Sequence, residues 1–468
     1  MKGSKLSEIL STIPQKEWRN LKEYVSSPFF NKNQHLIDLL EIIHKALFYQ
    51  KKQFPTKTFI WKKLFPHKKH NEQRLFILMS KLDKLCTDYI NYQVFKENDI
   101  THQIFTLRAS LHRKMPKHFK RTFEITETKL NKQSLRNADY YYHDYLLRVE
   151  DDFYNHTNAK KRNIIDVVQS LDNYYLVTKL RYLCSVMNRQ DLLQVEEKAE
   201  IENFTIYLKK FDLKKLFVLR IYQLTLDTLL KPEETENYDI LKNLLNKHKN
   251  LLAKNETKDL YLYLQNYLVK KLNAGQEEYI KDLFSLYKDM LDNVLLKEGG
   301  GLNLQYFKNI VTTALRQQAF EWTETFIKTH YTKLPKQDQE DAYCYNIGNL
   351  YFYQQKFWEA MQTLLQVNSR NMAYYLGAKS ILLKSYYELE EEEALLSLTH
   401  SFATYIRRNK VLSDKNKRNY LNMIKFIKKM GKLRKGEIRK AKRLLQTLNE
   451  TSNVMEKQWL VRKIKEIT

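Results

Sequence analysis

NEQRLFILMSKLDKLCTDYINY, residues 71–92, is the stretch on which the fold turns. Leu75, Leu78, Leu82, Leu85, Tyr89 and Tyr92 recur at intervals of three and four. That spacing lines one face of an α-helix, whereas a strand would send the same residues to both of its faces. Asn71 stands where a side-chain oxygen can take up a free amide of the first turn, so a helix is predicted to start there with its leucine face buried.

Upstream the same grammar repeats in shorter pieces. Thr56 can cap a helix holding Phe59, Ile60 and Leu64, which Pro66 stops. Pro14 suits the first turn of a helix running to about Val25, because its missing N–H is not needed there. Ser27-Pro28-Phe29-Phe30 then breaks the chain, and the two phenylalanines are expected to tuck under the next helix, from about Gln34 to Gln50. Downstream, Leu171, Tyr174, Tyr175, Val177, Leu180 and Leu183 make a wide apolar stripe. Leu213, Leu216, Phe217, Leu219, Tyr222 and Leu226 begin another. Lys231-Pro232 and Asn273-Ala274-Gly275 are predicted turns between antiparallel helices. Gly299-Gly300-Gly301 would cost a helix about 1 kcal/mol per glycine, so a boundary is expected there.

Punctuation supports the same reading over the whole chain. Nine glycines and 7 prolines in 468 residues are about 3 per cent, against roughly 12 per cent in average proteins. Sheets need tight turns, and tight turns draw on these residues. The expected fold class is all-α, a helical-hairpin array (α-solenoid), in three regions: 1–135, 136–298 and 302–468.

Composition limits the function classes. Hydrophobic residues at 43% provide a core, and no apolar run approaches the roughly 20 residues of a membrane span. Residues 1–20 lack the apolar stretch of a signal peptide. Three distant cysteines, Cys86, Cys184 and Cys344, offer neither a disulfide framework nor metal spacing. The cytoplasm is the expected compartment. The net charge of +26 is local: residues 51–121 carry 17 basic against 5 acidic residues and residues 407–443 carry 16 against 2, so the rest of the chain sums to zero.

In the last third, the stretch Tyr345-Asn346-Ile347-Gly348-Asn349-Leu350-Tyr351-Phe352 is followed by Phe357, Ala360 and Leu364. Residues 341–374 thereby resemble a tetratricopeptide repeat, a helix–turn–helix unit of about 34 residues. Gly348 and Ala360 fall where that family has its small residues, and Tyr351 and Phe357 where it has aromatics. Cys344 takes the family's tryptophan position and Met372 that of its terminal proline. Residues 304–337 align through Val311, Ala314, Phe320, Thr323, Ile327 and Pro335, and residues from about 376 offer Leu383, Tyr386 and Ala394. The resemblance implies stacked hairpins whose inner face holds a protein or peptide, with Gly348, Tyr351, Phe357 and Ala360 as packing residues.

Reactive constellations are sparse. Neither a G-x-G-x-x-G nor a G-x-x-x-x-G-K-[ST] run occurs, and there is no G-x-S-x-G elbow. Glu41-x-x-His44 matches half of a di-iron pair, but no second Glu-x-x-His accompanies it, so His44 reads as an ordinary histidine. His67-Lys68-Lys69-His70 reads as a solvated loop. His143 and Glu150 can share a helix face with no motif to close a site, although Asp151 and His156 lie nearby. Cys184 and Cys344 sit among apolar residues as inert core thiols. Glu388 and Glu390 to Glu393 suit the first turn of a helix starting near Ala394.

The strongest functional lead is basic. Tyr420, Ile424, Ile427 and Met430 predict one buried stripe, and Ile438, Ala441, Leu445 and Leu448 another. Lys425, Lys428, Lys429, Lys432, Arg439, Lys440, Lys442 and Arg443 are left as a cationic surface, the candidate contact with an anionic partner. Thr56–Phe65 and Asn71–Tyr92 could also present Arg74, Lys81 and Lys84 to a nucleic-acid groove. The expected function is a non-enzymatic scaffold without cofactor or metal, binding a protein or peptide partner, acidic partners included. A nucleic-acid-associated protein using residues 51–121 and 407–443 is the alternative, and an enzyme with a scattered site a further one.

Overall fold

The computed structural model describes residues 3–50, 53–156, 162–189, 195–212, 216–296, 301–368, 371–433 and 436–467. Leu213, Gly299 and Gly300 lie outside them. Among the described residues, 23 α-helices follow one another and there is no strand. The chain is an all-α array of helical hairpins, divided into two units, Met1–Lys179 and Leu180–Thr468.

In the first unit, α1 (Lys5–Thr12), α2 (Trp18–Ser26), α3 (Gln34–Lys45), α4 (Lys57–Leu64) and α5 (Glu72–Glu97) share one core. A second core joins α6 (Asp99–His112), α7 (Pro116–Lys132) and α8 (Ala138–Tyr154). Four asparagines of this unit are helix starts. Asn33, Asn71, Asn98 and Asn137 each accept a hydrogen bond from a backbone N–H two or three residues on, and Thr56 does the same for α4. Satisfying one orphan amide in this way stabilises a helix by about 1 kcal/mol. Leu75, Leu78, Leu82 and Tyr89 of α5 are buried, while Tyr92 emerges at 49% exposure because the helix outruns the core it packs on.

The Ser27–Phe30 break differs from expectation. Phe29 is 88% exposed and Phe30 46%; Phe30 stacks on the Tyr24 ring at 4.3 Å rather than tucking under α3. The buried place is held by Asn31, whose Nδ2 donates to the carbonyls of Val25 and Asn33 and whose Oδ1 accepts from the Asn33 N–H. A turn with that many backbone groups to satisfy takes an amide there in preference to a ring.

The division between the units falls within α9 (Ile164–Asn188). Its buried stripe is Leu176, Val177, Leu180, Cys184 and Met187, whereas Leu171 and Tyr175 face outward. The second unit continues with α10 (Val195–Leu208), α11 (Phe217–Leu230), α12 (Thr235–His248), α13 (Lys254–Asn273) and α14 (Ile280–Met290). Lys231-Pro232 separates α11 from α12, and Asn273-Ala274-Gly275 lies at the junction of α13 and α14. Then come α15 (Leu304–Arg316), α16 (Phe320–His330), α17 (Gln339–Tyr353), α18 (Phe357–Leu365), α19 (Met372–Glu388), α20 (Glu392–Arg408), α21 (Asp414–Met430), α22 (Ile438–Glu450) and α23 (Lys457–Ile467). Neighbours pair as hairpins, and α15, α17, α19 and α21 also pack side by side as an inner row.

One turn closes these hairpins again and again. At α15–α16, Ala319 N donates to Ala314 O and Gln318 N to Leu315 O, with Gln318 at φ 59°. Gln355 between α17 and α18 (φ 63°), Glu390 between α19 and α20 (φ 58°) and Lys114 between α6 and α7 (φ 55°) repeat both bonds, as does Gly275 between α13 and α14. This is the Schellman arrangement, in which a left-handed residue lets the last carbonyls of one helix find donors before the next begins. Four of the five positions carry a residue with a side chain, so a search for glycine stops misses them.

Candidate functional site

The basic residues singled out above lie where the apolar faces of their helices leave them. In α21, Met423, Ile424, Phe426, Ile427 and Met430 are buried; Lys425, Lys428, Lys429 and Lys432 are exposed at helical spacing. In α22 the buried set is Ala441, Leu444 and Leu448. Leu445 is half-buried, and Ile438 is 43% exposed because it opens the helix away from its neighbours. Arg439, Lys440, Lys442 and Arg443 are exposed. Lys440 reaches Glu437 at 2.5 Å one turn away, on the surface, where such a pair contributes little.

The repeat-packing residues occupy the α17–α18 crossing. A Cβ on Gly348 would lie 2.6 Å from Leu364 Cγ, so the helices meet through this missing side chain. Ala360 is fully buried. Phe357 is half-buried against the Phe352 ring at 5.4 Å, and Tyr351 is half-buried beneath the Lys356 ammonium at 5.9 Å.

The inner row gathers a second set of polar groups around Glu456, which follows the turn between α22 and α23. Lys384 of α19 points Nζ at Glu456 Oε2 over 2.9 Å; its side chain is 6% exposed, while that of Glu456 remains 38% exposed. The carboxylate therefore sits in an open recess rather than a closed core. Lys384 also lies over the rings of Phe352 and Trp459. Lys308 of α15 donates to the Ala373 carbonyl at 2.8 Å and lies over the rings of Tyr345 and Tyr374. Lys384, with Arg316 and Lys308 behind it, holds the Glu456 carboxyl below the usual carboxylate range in spite of burial. Burial brings the Lys308 ammonium down to about 8, opposed in part by Glu456. Burial likewise raises the phenols of Tyr345, Tyr353 and Tyr420, with the Glu456 charge adding to each, and Tyr353 reaches about 12. One carboxylate is thus faced by cations and phenols from α15, α17, α19 and α21.

The turn that delivers Glu456 is strained and pinned. Asn453 and Glu456 both have left-handed backbones, φ 57° and 58°. Met455 N donates to Asn419 O, and Asn422 Nδ2 donates to Asn453 O, tying the turn to α21. Beyond it, α23 buries Trp459, Leu460 and Ile464, sets Trp459 edge-on to the Tyr387 ring at 5.6 Å and pairs Lys463 with Glu388 at 2.8 Å. The other side of α23, formed by Lys457, Gln458, Val461, Arg462, Lys465 and Glu466, borders an open cavity of about 670 Å³.

The remaining candidates have structural partners. His44 stacks on Trp18 and Glu41 reaches Lys22. His143 and Glu150 share the buried face of α8, where His143 meets Thr101 at 3.1 Å and Glu150 meets Arg108 at 2.6 Å; burial lowers the His143 pKa. His67, Lys68, Lys69 and His70 are exposed, as are Arg74, Lys81 and Lys84, with Arg74 over the Phe65 ring. Among the described residues, no three His, Cys, Asp or Glu side chains gather as a metal would require, and no helix is long and apolar enough to cross a membrane. The sequence reading missed Lys308, Lys384 and Glu456. Lys384 carried a signal, a lysine directly after the apolar run Ile381-Leu382-Leu383; Glu456 carried none. Comparison of the chain with known protein families, curated protein sequences and solved structures found no match.

Proposed function

We propose that this chain is a non-enzymatic interaction scaffold that holds a protein or peptide partner on the inner row of its last hairpins. The observation that carries the reading is the recess itself: four helices bring Lys308, Tyr345, Tyr353, Lys384 and Tyr420 around one carboxylate. Half-buried Tyr353 and Tyr420 supply contact area with a polar tip, and half-buried Lys308 with the buried Lys384 beside it supplies charge, the combination that recognises a peptide bearing acidic groups. The recurring turn and the Gly348–Leu364 approach support the likeness to tetratricopeptide repeats, whose stacked hairpins bind partners along one face.

A photoreactive residue at Tyr353 tests this in cells, with the exposed Trp358 position as control. Defined proteins joined from position 353, not from 358, and lost when Lys384→Glu is added, are the expected result. The same products from both positions, or none, would remove the reading.

A second reading has its own observation. Lys425, Lys428, Lys429, Arg439, Lys442 and Arg443 on two successive helices, and Lys432 in the turn after the first, are all exposed, a surface that could neutralise phosphates of a nucleic acid. Its test is a salt series, given below.

A further inference from the structure

We propose that residues 453–467 are a built-in occupant of the recess: Glu456 and α23 hold the place of an acidic partner helix, which binds by displacing them. The inference rests on the scaffold reading and adds how its site is regulated.

Charge points to an acidic visitor. Arg316 is engaged by Glu277 at 2.6 Å, which leaves Lys308 and Lys384 facing the single Glu456 carboxylate among the described residues. A segment with two or more carboxylates satisfies these cations better than the resident does.

Helix length and backbone geometry point to a displaceable resident. With 11 residues, α23 is shorter than the roughly 12–15 that even favourable sequences need to hold a helix alone, so its order depends on docking. Glu456 adopts a left-handed backbone, φ 58°, that its surrounding contacts maintain and that relaxes once the side chain leaves Lys384. The docked and released states therefore lie closer together than the buried Trp459, Leu460 and Ile464 alone would place them. The connecting turn works as a hinge, with Asn419 and Asn422 of α21 as its anchor.

Two measurements on the full chain test this. Hydrogen exchange of the unaltered protein, which needs no variant, is expected to show the α23 amides exchanging at least tenfold faster than those of α17 and α19. Equal protection would overturn the proposal. In the second, a fluorescent synthetic peptide of residues 451–468 is titrated into the unaltered chain, the Glu456→Gln chain and the Lys384→Gln chain, with folding checked by circular dichroism. Binding at least tenfold tighter to Glu456→Gln than to the unaltered chain, and lost in Lys384→Gln, supports displacement. Equal binding to the unaltered and Glu456→Gln chains would overturn it while leaving the recess as a binding site. No binding to any chain would count against both readings. A Glu456→Gln chain that dimerises with α23 still protected would replace displacement by exchange of α23 between two copies.

Discussion

Gly348 has no side chain because Leu364 already fills the space. Alanine is favoured over glycine in a helix interior by about 1 kcal/mol, yet a Cβ here would stand 2.6 Å from Leu364 Cγ, and overpacking a tight core costs about 1–3 kcal/mol. Gly348→Ala is therefore expected to lower stability by about 1 kcal/mol in denaturant titrations. In a Leu364→Ala background the same change should be neutral or stabilising, because the clash has gone; two equal losses would show that the pair does not interact. Lys308 gives a pH dependence of definite sign. Its ammonium titrates near 8 in the folded chain, against about 10.4 unfolded. Between those values the unfolded chain binds more protons, so stability rises with pH. Relative to Lys308→Met, the unaltered chain should gain up to about 3 kcal/mol over that window, an upper limit for a half-buried group; a difference independent of pH would refute it. Buried tyrosines such as Tyr353 act oppositely, since a raised phenol pKa loses stability above about 10, but the comparison cancels them. Single residues are also where the sequence was least legible. Leucine stripes report a continuous face, so Leu75 to Tyr89 were readable, whereas Lys308, Lys384 and Glu456 come from places far apart in the chain. Phe29 was misread because apolarity alone says nothing about the backbone groups Asn31 must satisfy.

The repeated turn belongs to the scale of elements. Gln318, Gln355 and Glu390 close successive hairpins of the second unit in a left-handed conformation, which costs a residue with a Cβ about 1–2 kcal/mol. Gln355→Gly removes that cost, offset by the entropy of an added glycine, and is expected to stabilise the chain by about 1 kcal/mol. The same substitution at Gln354, which has ordinary helical φ, should destabilise it; equal effects at the two positions would show that the turn is not strained. Helices themselves were legible because their period and their Asn, Ser and Thr starts lie within a few neighbouring residues. The phase of a helix at its ends was not, as Ile438 and Leu445 show: which residue faces a neighbour there depends on where the neighbour lies. Recurrence of the turn escaped notice because hydrogen bonds, not a residue type, define it.

Over the whole molecule the +26 charge is a surplus of two segments rather than a general property. If residues 407–443 contact phosphates, affinity for duplex RNA or DNA will fall with salt at a slope of about −0.9 per phosphate neutralised. Changing Lys425, Lys428, Lys429 and Lys432 to Glu should then flatten the slope by about 3–4. An unchanged slope would assign these lysines to solvation alone. The all-α class was readable at this scale because scarcity of breakers is a property of the entire chain. Cys86, Cys184 and Cys344, finally, are all buried, and burial pushes the Cys86 thiol up to about 12 and raises the other two. Thiolates are the reactive form, so maleimide reagents meet a native chain that is chemically quiet. A single cysteine engineered on an outer helix face can then carry a dye or spin label against a dark background, making distance measurements between labelled positions possible without first deleting any native residue.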